Sequence, residues 1–231
     1  DEAINGTNSL YVFGHASSSN SITFSSKEDF SKIHTILIEN EDNLSDTHIS
    51  TYSLSMALIS NTGMRVGALS TFTSGSNLVS IYDITFDESL ELTSTLLAQT
   101  ELSSSSEYFE LELFDEGEKV IVSNTTEDLV TILSGTNFLE STDIEIGSAP
   151  KGIALGFIGT DSSETAFIIN SDDHSVTQLD LSDNTIIQVY EILAPNPTSI
   201  VLDENDAIIM VKSSFEFDED DTISTITLLE I

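Results

Sequence analysis

The residues with the most evident chemical capacity are carboxylates gathered in turns. Asp172, Asp173 and Asp183 fall in the turns of one segment, and Asp203, Glu204 and Asp206 form a second acidic turn. Glu216, Asp218 and Asp220 alternate in a third, followed by Asp221. Hard cations such as calcium collect about six to eight oxygens from carboxylates and carbonyls, so turns of this kind can supply ligands. On that basis Asp172, Asp173, Asp183, Glu216, Asp218 and Asp220 are the candidate calcium ligands. The Glu216–Asp220 spacing follows the start of a calcium loop, but the loop's glycine and its distal bidentate glutamate are missing. The competing reading is a set of solvated acidic turns.

Other chemistries find less support. His15, His34, His48 and His174 are scattered, with no His-x-His or His-Glu-x-x-His spacing for zinc, and each reads as a structural or surface group. The chain has no cysteine, which removes disulfides, thiolate nucleophiles, Cys-ligated zinc and haem attachment. There is no Gly-x-Ser-x-Gly elbow, and serines cluster in turns and runs such as Ser103–Ser106. Phosphate-binding and dinucleotide-binding glycine motifs are absent too, so no cofactor is assigned beyond calcium as a candidate. Asn5, Asn43 and Asn124 head Asn-x-Ser/Thr triplets, which chance explains in a chain of this composition. Arg65, the only arginine, is expected to pair with carboxylates in a structural role.

The elements that must carry these groups are strands. Apolar runs are short and rich in Ile, Val, Thr, Phe and Tyr, as in Lys119–Ser123, Ala166–Asn170 and Ala207–Val211. Gly, Asn, Asp and Ser clusters between them read as turns. One helical turn is expected at Ser26–Lys32. From Ile144 to Ile192 the order is a Gly147-Ser-Ala-Pro150-Lys-Gly152 lead, a strand at Ile153–Leu155, and strands at Ala166–Asn170, Val176–Leu181 and Thr185–Ile192. The cycle restarts at Ile192, with strands at Ile200–Leu202 and Ala207–Val211. That is a four-stranded unit of about 45 residues, the period of propeller blades.

Earlier units repeat the order. One runs through Tyr108–Phe114, Lys119–Ser123, Leu129–Leu133 and Leu139–Ile146. Another runs through Ile49–Ile59, Arg65–Thr71, Leu78–Ile84 and Leu90–Ala98. A degenerate first unit, about residues 1–48, shows Leu10–Phe13, Ile22–Phe24 and His34–Glu39. The expected fold is all-β: a single β-propeller domain over residues 1–231, with about five units of four antiparallel strands.

The Gly147–Gly152 lead and the run Asn170-Ser-Asp-Asp-His-Ser-Val-Thr-Gln-Leu-Asp-Leu-Ser-Asp-Asn-Thr185 resemble the YVTN repeat of bacterial and archaeal surface propellers and lactonase-like propellers. The likeness is strong over Ile144–Val211, recognisable from Tyr108 and weak before Ile49. It implies blades of four antiparallel strands. The family spans surface-layer and cell-surface proteins, sugar-lactone hydrolases and enzyme subunits, so the likeness speaks to fold more than to function. Two departures stand out: Ala194-Pro195 lacks the turn glycine, and the last unit shows three strands, ending with Ile223–Glu230. A closed ring needs the fourth from elsewhere. Asp1–Asn5 is a short, poor candidate; the favoured source is a strand from a partner protein or from the remainder of a larger propeller.

Charge narrows the function classes. Six basic residues stand against 40 acidic ones, a formal net charge of −34. Clustered cations for phosphate contacts are lacking, which excludes nucleic acid as a partner. Anionic membranes repel such a chain, and no apolar run reaches the roughly 18 residues needed to insert. With 39% hydrophobic residues the chain is too apolar for a disordered acidic tail. An acidic, lysine-poor, Ser/Thr-rich surface fits a secreted protein of a marine or salt-adapted microbe and equally a solubility device. The opening at Asp1 without methionine fits a removed signal peptide or an excised piece. The expected location is the cell surface, outside the cell or the periplasm. The leading expectation is therefore a non-catalytic extracellular propeller serving as a protein-interaction or surface-assembly module. The alternative is a lactonase-like hydrolase using polar residues at the mouth of a central channel; a redox-enzyme subunit ranks third.

Mutual repulsion among the carboxylates predicts that stability rises with salt, since the screening length falls to about 3 Å at 1 M. Thermal melts from low to high sodium chloride should shift upward; a flat or falling midpoint would show that local pairing already neutralises the repulsion.

Overall fold

In the computed structural model the described residues are 2–5, 8–14, 20–26, 32–60, 62–86, 91–157, 164–193, 196–203, 208–218 and 221–230. Among them, regular structure is almost all strand, arranged as five antiparallel meanders. Sheet one holds β1 (Glu2–Asn5), β2 (Asn8–Gly14), β3 (Ser21–Ser26) and β4 (Lys32–Leu37). Sheet two holds β5 (His48–Ser60), β6 (Gly63–Phe72), β7 (Asn77–Phe86) and β8 (Leu92–Leu102). Sheet three holds β9 (Tyr108–Phe114), β10 (Lys119–Asn124), β11 (Leu129–Ser134) and β12 (Glu140–Glu145). Sheet four holds β13 (Pro150–Phe157), β14 (Glu164–Asn170), β15 (Ser175–Asp180) and β16 (Thr185–Glu191). Sheet five has three strands, β17 (Pro197–Leu202), β18 (Ile208–Asp218) and β19 (Asp221–Glu230). The described helical content is one 3-10 turn at Thr136–Phe138. The helical turn expected at Ser26–Lys32 falls mostly outside the described residues.

The first sheet corrects the expectation of a three-stranded first unit. It has four strands, with Glu2–Asn5 as an edge strand, Glu2 opposite Tyr11 and Asn5 opposite Asn8. Only two residues separate β1 from β2, so local antiparallel pairing has little loop entropy to overcome. A second correction concerns the third acidic turn: Glu216 and Asp218 lie in β18, opposite Thr222 and Asp221. Strand pairing there extends further toward the hairpin end than the acidic composition suggests.

The chain divides into two compact units, residues 1–105, 113–120 and 133–141 in one, and 106–112, 121–132 and 142–231 in the other. The core of the first is made by sheets one and two. Ile22, Phe24, Ile36 and Ile38 pack with Met64, Val66, Ala68, Phe72, Tyr82 and Ile84. Strand β6 is buried on both faces along nearly its whole length, which explains why its sequence shows no alternation. In the second unit, sheets four and five pack Phe167, Ile169 and Val176 against Ile200, Ile209 and Val211.

Arg65 shows how the first unit closes its polar groups. It sits opposite Asp83 in the β6–β7 register, and Nε and Nη2 donate to that carboxylate at 2.7 and 3.2 Å. Nη1 reaches the Gly117 carbonyl and the Glu118 carboxylate, both at 3.0 Å. The guanidinium also lies 5.9 Å from the centre of the Phe138 ring. A planar fork that spends its donors on the neighbouring strand and the next sheet's turn is a structural clamp that lysine cannot replace.

The glycines of the Gly147–Gly152 lead have steric reasons. A Cβ on Gly147 would stand 2.5 Å from the Asn170 side chain, which is fully buried and donates to Ser175 and Thr177 hydroxyls at 2.9 and 2.8 Å. A Cβ on Gly152 would meet Ile200 at 3.2 Å and Ile169 at 3.3 Å, where sheet five packs on sheet four. Gly147→Ala is therefore expected to cost about 1–3 kcal/mol through displacement of Asn170, and Gly152→Ala less. Urea unfolding of the two variants checks the order, and an equal or reversed ranking would refute the steric account.

Candidate functional site

The segment joining sheets one and two, residues 38–47, builds a concavity. Its volume is about 430 Å³, and Asn20, Ile38, Glu39, Asn40, Leu44, Asp46, Thr47 and His48 line it. A second hollow of about 240 Å³ lies across the same segment, against Leu96–Gln99 of β8 and Leu139. Gln99 pins the segment to β8: its Nε2 donates to the Glu39 carbonyl at 2.8 Å, and its Oε1 accepts from the Glu41 amide at 2.9 Å.

Asp46 organises the loop. One oxygen accepts from the Ser74 amide at 2.8 Å and Thr73 Oγ1 at 2.9 Å. The other accepts from Ser74 Oγ at 2.6 Å and Asn40 Nδ2 at 3.1 Å. The Ser74 hydroxyl, the largest influence, holds this carboxyl below its ordinary range; burial opposes it, and the other donors add to the lowering. An acid so saturated with donors stays ionised and ties two turns together. It is poorly suited to moving protons.

The neighbouring His48 is half-buried. Its Nε2 lies 3.0 Å from Thr51 Oγ1, and its ring meets Phe72 edge-on at 5.6 Å. Burial lowers its pKa, so the imidazole is neutral near pH 7. Tyr82 nearby is pushed up to about 12, by burial first, with the charges of Glu41 and Glu39 adding to a shift that a Ser80 hydrogen bond opposes. The concavity thus offers a neutral imidazole and amide groups beneath an anionic rim, able to hold a small polar molecule. It assembles no activated nucleophile.

Of the calcium candidates, Asp172 and Asp173 do not converge with Asp183. Asp172 and Asp173 occupy the β14–β15 turn, whereas Asp183 occupies the β15–β16 turn at the other end of a six-residue strand, about 20 Å away. Asp173 accepts from the Ser148 amide at 2.6 Å, and Asp183 from the Thr185 amide and hydroxyl at 3.1 and 2.6 Å. Glu216 and Asp218 belong to β18, and Asp220 lies outside the described residues, as do Glu204, Asp206 and His15. Among the described residues no group of three or more His, Asp or Glu side chains could hold a metal ion. His34 lies 3.0 Å from Ser94 Oγ, and His174 occupies the β14–β15 turn with a left-handed backbone. Asp46 escaped the sequence reading because its partners come from a turn 27 and 28 residues away. The available signal was the Asn/Asp/Ser-rich run 40–47.

No family model matches the chain, and no curated protein matches it. Solved structures do match, at identities that establish fold alone. Hydrazine synthase of Kuenenia stuttgartiensis aligns at TM-score 0.66 and 11% identity, over 99% of this chain and 70% of that one. The dihydro-heme d1 dehydrogenase NirN aligns at 0.61 and 8%, over all of this chain and 45% of that one. A calcium-binding protein, regucalcin, from Agrobacterium tumefaciens aligns at 0.56 and 12%, covering 95% and 69%. These are β-propellers, and this chain has the same type of fold, with its sheets as blades.

Asp46→Asn tests the role given to the loop carboxylate. Because the folded pKa is depressed, its contribution is fully present above the unfolded value of about 3.9 and is lost as pH falls through the folded value. The stability gap between wild type and Asp46→Asn should be constant above about pH 5 and close as pH drops below about 4. Chemical denaturation across that range measures it; a gap independent of pH would remove Asp46 as a charged organiser.

Proposed function

We propose that this chain is a non-catalytic, extracellular propeller of the YVTN type that engages a protein partner through its outer strands and open sheet surfaces. The observation that carries the reading is the exposure of large apolar side chains on a polyanion. Ile186, Ile187 and Val189 are exposed on β16, and Val201, Ile226 and Leu228 on sheet five. Edge strand β12, by contrast, shows the protected form, with Glu140, Asp143 and Glu145 turned to solvent. Contiguous exposed apolar groups on a soluble fold mark interaction surfaces. β16 is an edge strand of its sheet and Thr185–Val189 are all exposed; the β15–β16 register also slips between Gln178 and Leu179, so that Ile187 has no register partner.

The polar groups support the same reading. Asp46, Asp173, Asp180 and Asp183 are engaged by hydroxyl and amide donors in turns, which is an architectural use of acids. The test is twofold. Protein isolated from its own cells should be found outside the cytoplasm in an assembly larger than one chain. Simple γ- and δ-lactones should not be hydrolysed above background in a pH-stat. A cytoplasmic monomer would sink the interaction reading, and lactone turnover would replace it with the hydrolase.

A further inference from the structure

The three Asn-x-Ser/Thr triplets have the acceptor pattern for N-linked carbohydrate. Chance accounts for their number, but the structure separates them. Asn43 opens a turn in the segment joining sheets one and two, where the Asp46 amide donates to the Asn43 carbonyl at 2.9 Å. The Asn43 amide donates to the carbonyl and the side-chain Oδ1 of Asn40, at 3.2 and 3.1 Å. Downstream, Asp46 is fixed by Thr73 and Ser74. All of these contacts lie within the first unit, which alone sets the shape of the turn. The Ser45 hydroxyl donates to Asn43 Oδ1 at 2.7 Å. That bond orients the carboxamide and leaves Nδ2 as its unengaged end among the described residues. Asn124-Thr125-Thr126 is the opposite case. Asn124 is buried, and its Oδ1 accepts from the Thr126 and Glu127 amides at 3.2 and 3.1 Å. The triplet's hydroxyl is committed elsewhere, since Thr126 Oγ1 accepts from the Glu107 amide at 2.8 Å. Of Asn5-Gly6-Thr7, only Asn5 lies among the described residues.

We propose that Asn43 is a site of N-linked glycosylation, accepting an oligosaccharide from a lipid-phosphate carrier. The inference rests on the extracellular location in the proposed function, because the motif is an acceptor in secreted chains, and adds to it a covalent modification. In the transfer, Asn43 Nδ2 loses a proton and bonds to the anomeric carbon of the first sugar. The bond from that carbon to the carrier's phosphate oxygen breaks, and the oxygen keeps the electron pair. The released phosphate takes up the proton, so the exchange is redox-neutral. The chain supplies the two polar groups that the motif needs, the acceptor amide and the hydroxyl two residues on, with a residue other than proline between them. Both stand on a turn braced at each side. A bulky, hydrophilic glycan needs a surface attachment point, and Asn43, Leu44 and Ser45 are all exposed.

The experiment takes the protein from its own cells, records the fraction in which it is found and cleaves it at acidic residues. Electron-transfer mass spectrometry, which keeps a sugar on its asparagine, then maps the peptides. The peptide holding Asn43 should carry a hexose- or hexosamine-containing increment, and the peptide holding Asn124 none. Asn43→Gln and Ser45→Ala, expressed in the same cells, should abolish the increment, and Ser45→Thr, which keeps the hydroxyl, should retain it. The wild-type map decides even where a variant fails to accumulate. An unmodified Asn43 in protein found outside the cytoplasm would overturn the inference and leave the extracellular reading intact. Unmodified protein confined to the cytoplasm would overturn both. A glycan on Asn124, or one that persists on Asn43 in Ser45→Ala, would also refute the assignment, because neither the turn nor the hydroxyl would then be selecting the acceptor.

Discussion

The constraint on which the structure depends is the shortage of cations. With 40 acids and six bases, ion pairing cannot neutralise the carboxylates, so other donors take its place. Serine and threonine hydroxyls and backbone amides do this repeatedly. Ser182 donates twice to Asp180, Thr185 twice to Asp183, and Thr131 to Asp143. Asp128 holds the Gly147–Pro150 lead by accepting from Ser148 Oγ and the Ala149 amide. Each contact keeps a carboxylate satisfied without a countercharge and fixes a turn, so the acid excess becomes a set of turn locks.

Where a carboxylate must be buried between sheets, the means are scarcer. Glu110 of β9 accepts from the Ile153 amide of β13 at 2.6 Å, joining two sheets through one side chain. Burial pushes its pKa up, and the hydrogen bond opposes the shift. Its linkage runs opposite to that of Asp46: the raised folded value means its contribution is full at low pH and fades as pH rises through that value. The first unit spends its one guanidinium on the corresponding problem, with Arg65 bound to Asp83 and Glu118 at once. Neutral polar contacts do the rest, as when Ser55 Oγ accepts from the Leu113 amide and Ser171 Oγ donates to the Pro197 carbonyl.

Much of the fold was legible in the sequence because period-two patterning and turn chemistry are local. Tyr108–Phe114 begins and ends where the pattern places it, and the β10 and β11 strands differ by one residue at their ends. The Gly147–Gly152 lead was visible as a motif, but its cause was not, since the atoms that forbid a Cβ belong to Asn170, Ile169 and Ile200. Strand β1 was missed because Glu2–Asn5 has too few apolar residues to declare a strand; only its pairing with β2 makes it one. The 38–48 concavity was hidden for the same reason as Asp46, because its donors come from separate turns. Arg65 was legible as a cation certain to meet an acid, though not as a clamp on the Gly117 carbonyl.

The placement of polar and apolar groups together bears on where function resides. A sheet that buries both faces against its neighbours has few positions left for chemistry, and β6, buried almost throughout, shows the limit. What variation the fold allows lies in inter-sheet segments, outer strands and uncovered faces. In the inter-sheet segment at 38–47 the acid is consumed in fixing the loop, and the nearby imidazole is neutral and held by Thr51. On the outer strands and sheet five, by contrast, exposed isoleucine, valine and leucine side chains have no architectural use among the described residues. In water each such group is a standing cost of roughly 1.5–3 kcal/mol relative to burial. Among the described residues the polar closure of this chain is thus more complete than its apolar burial.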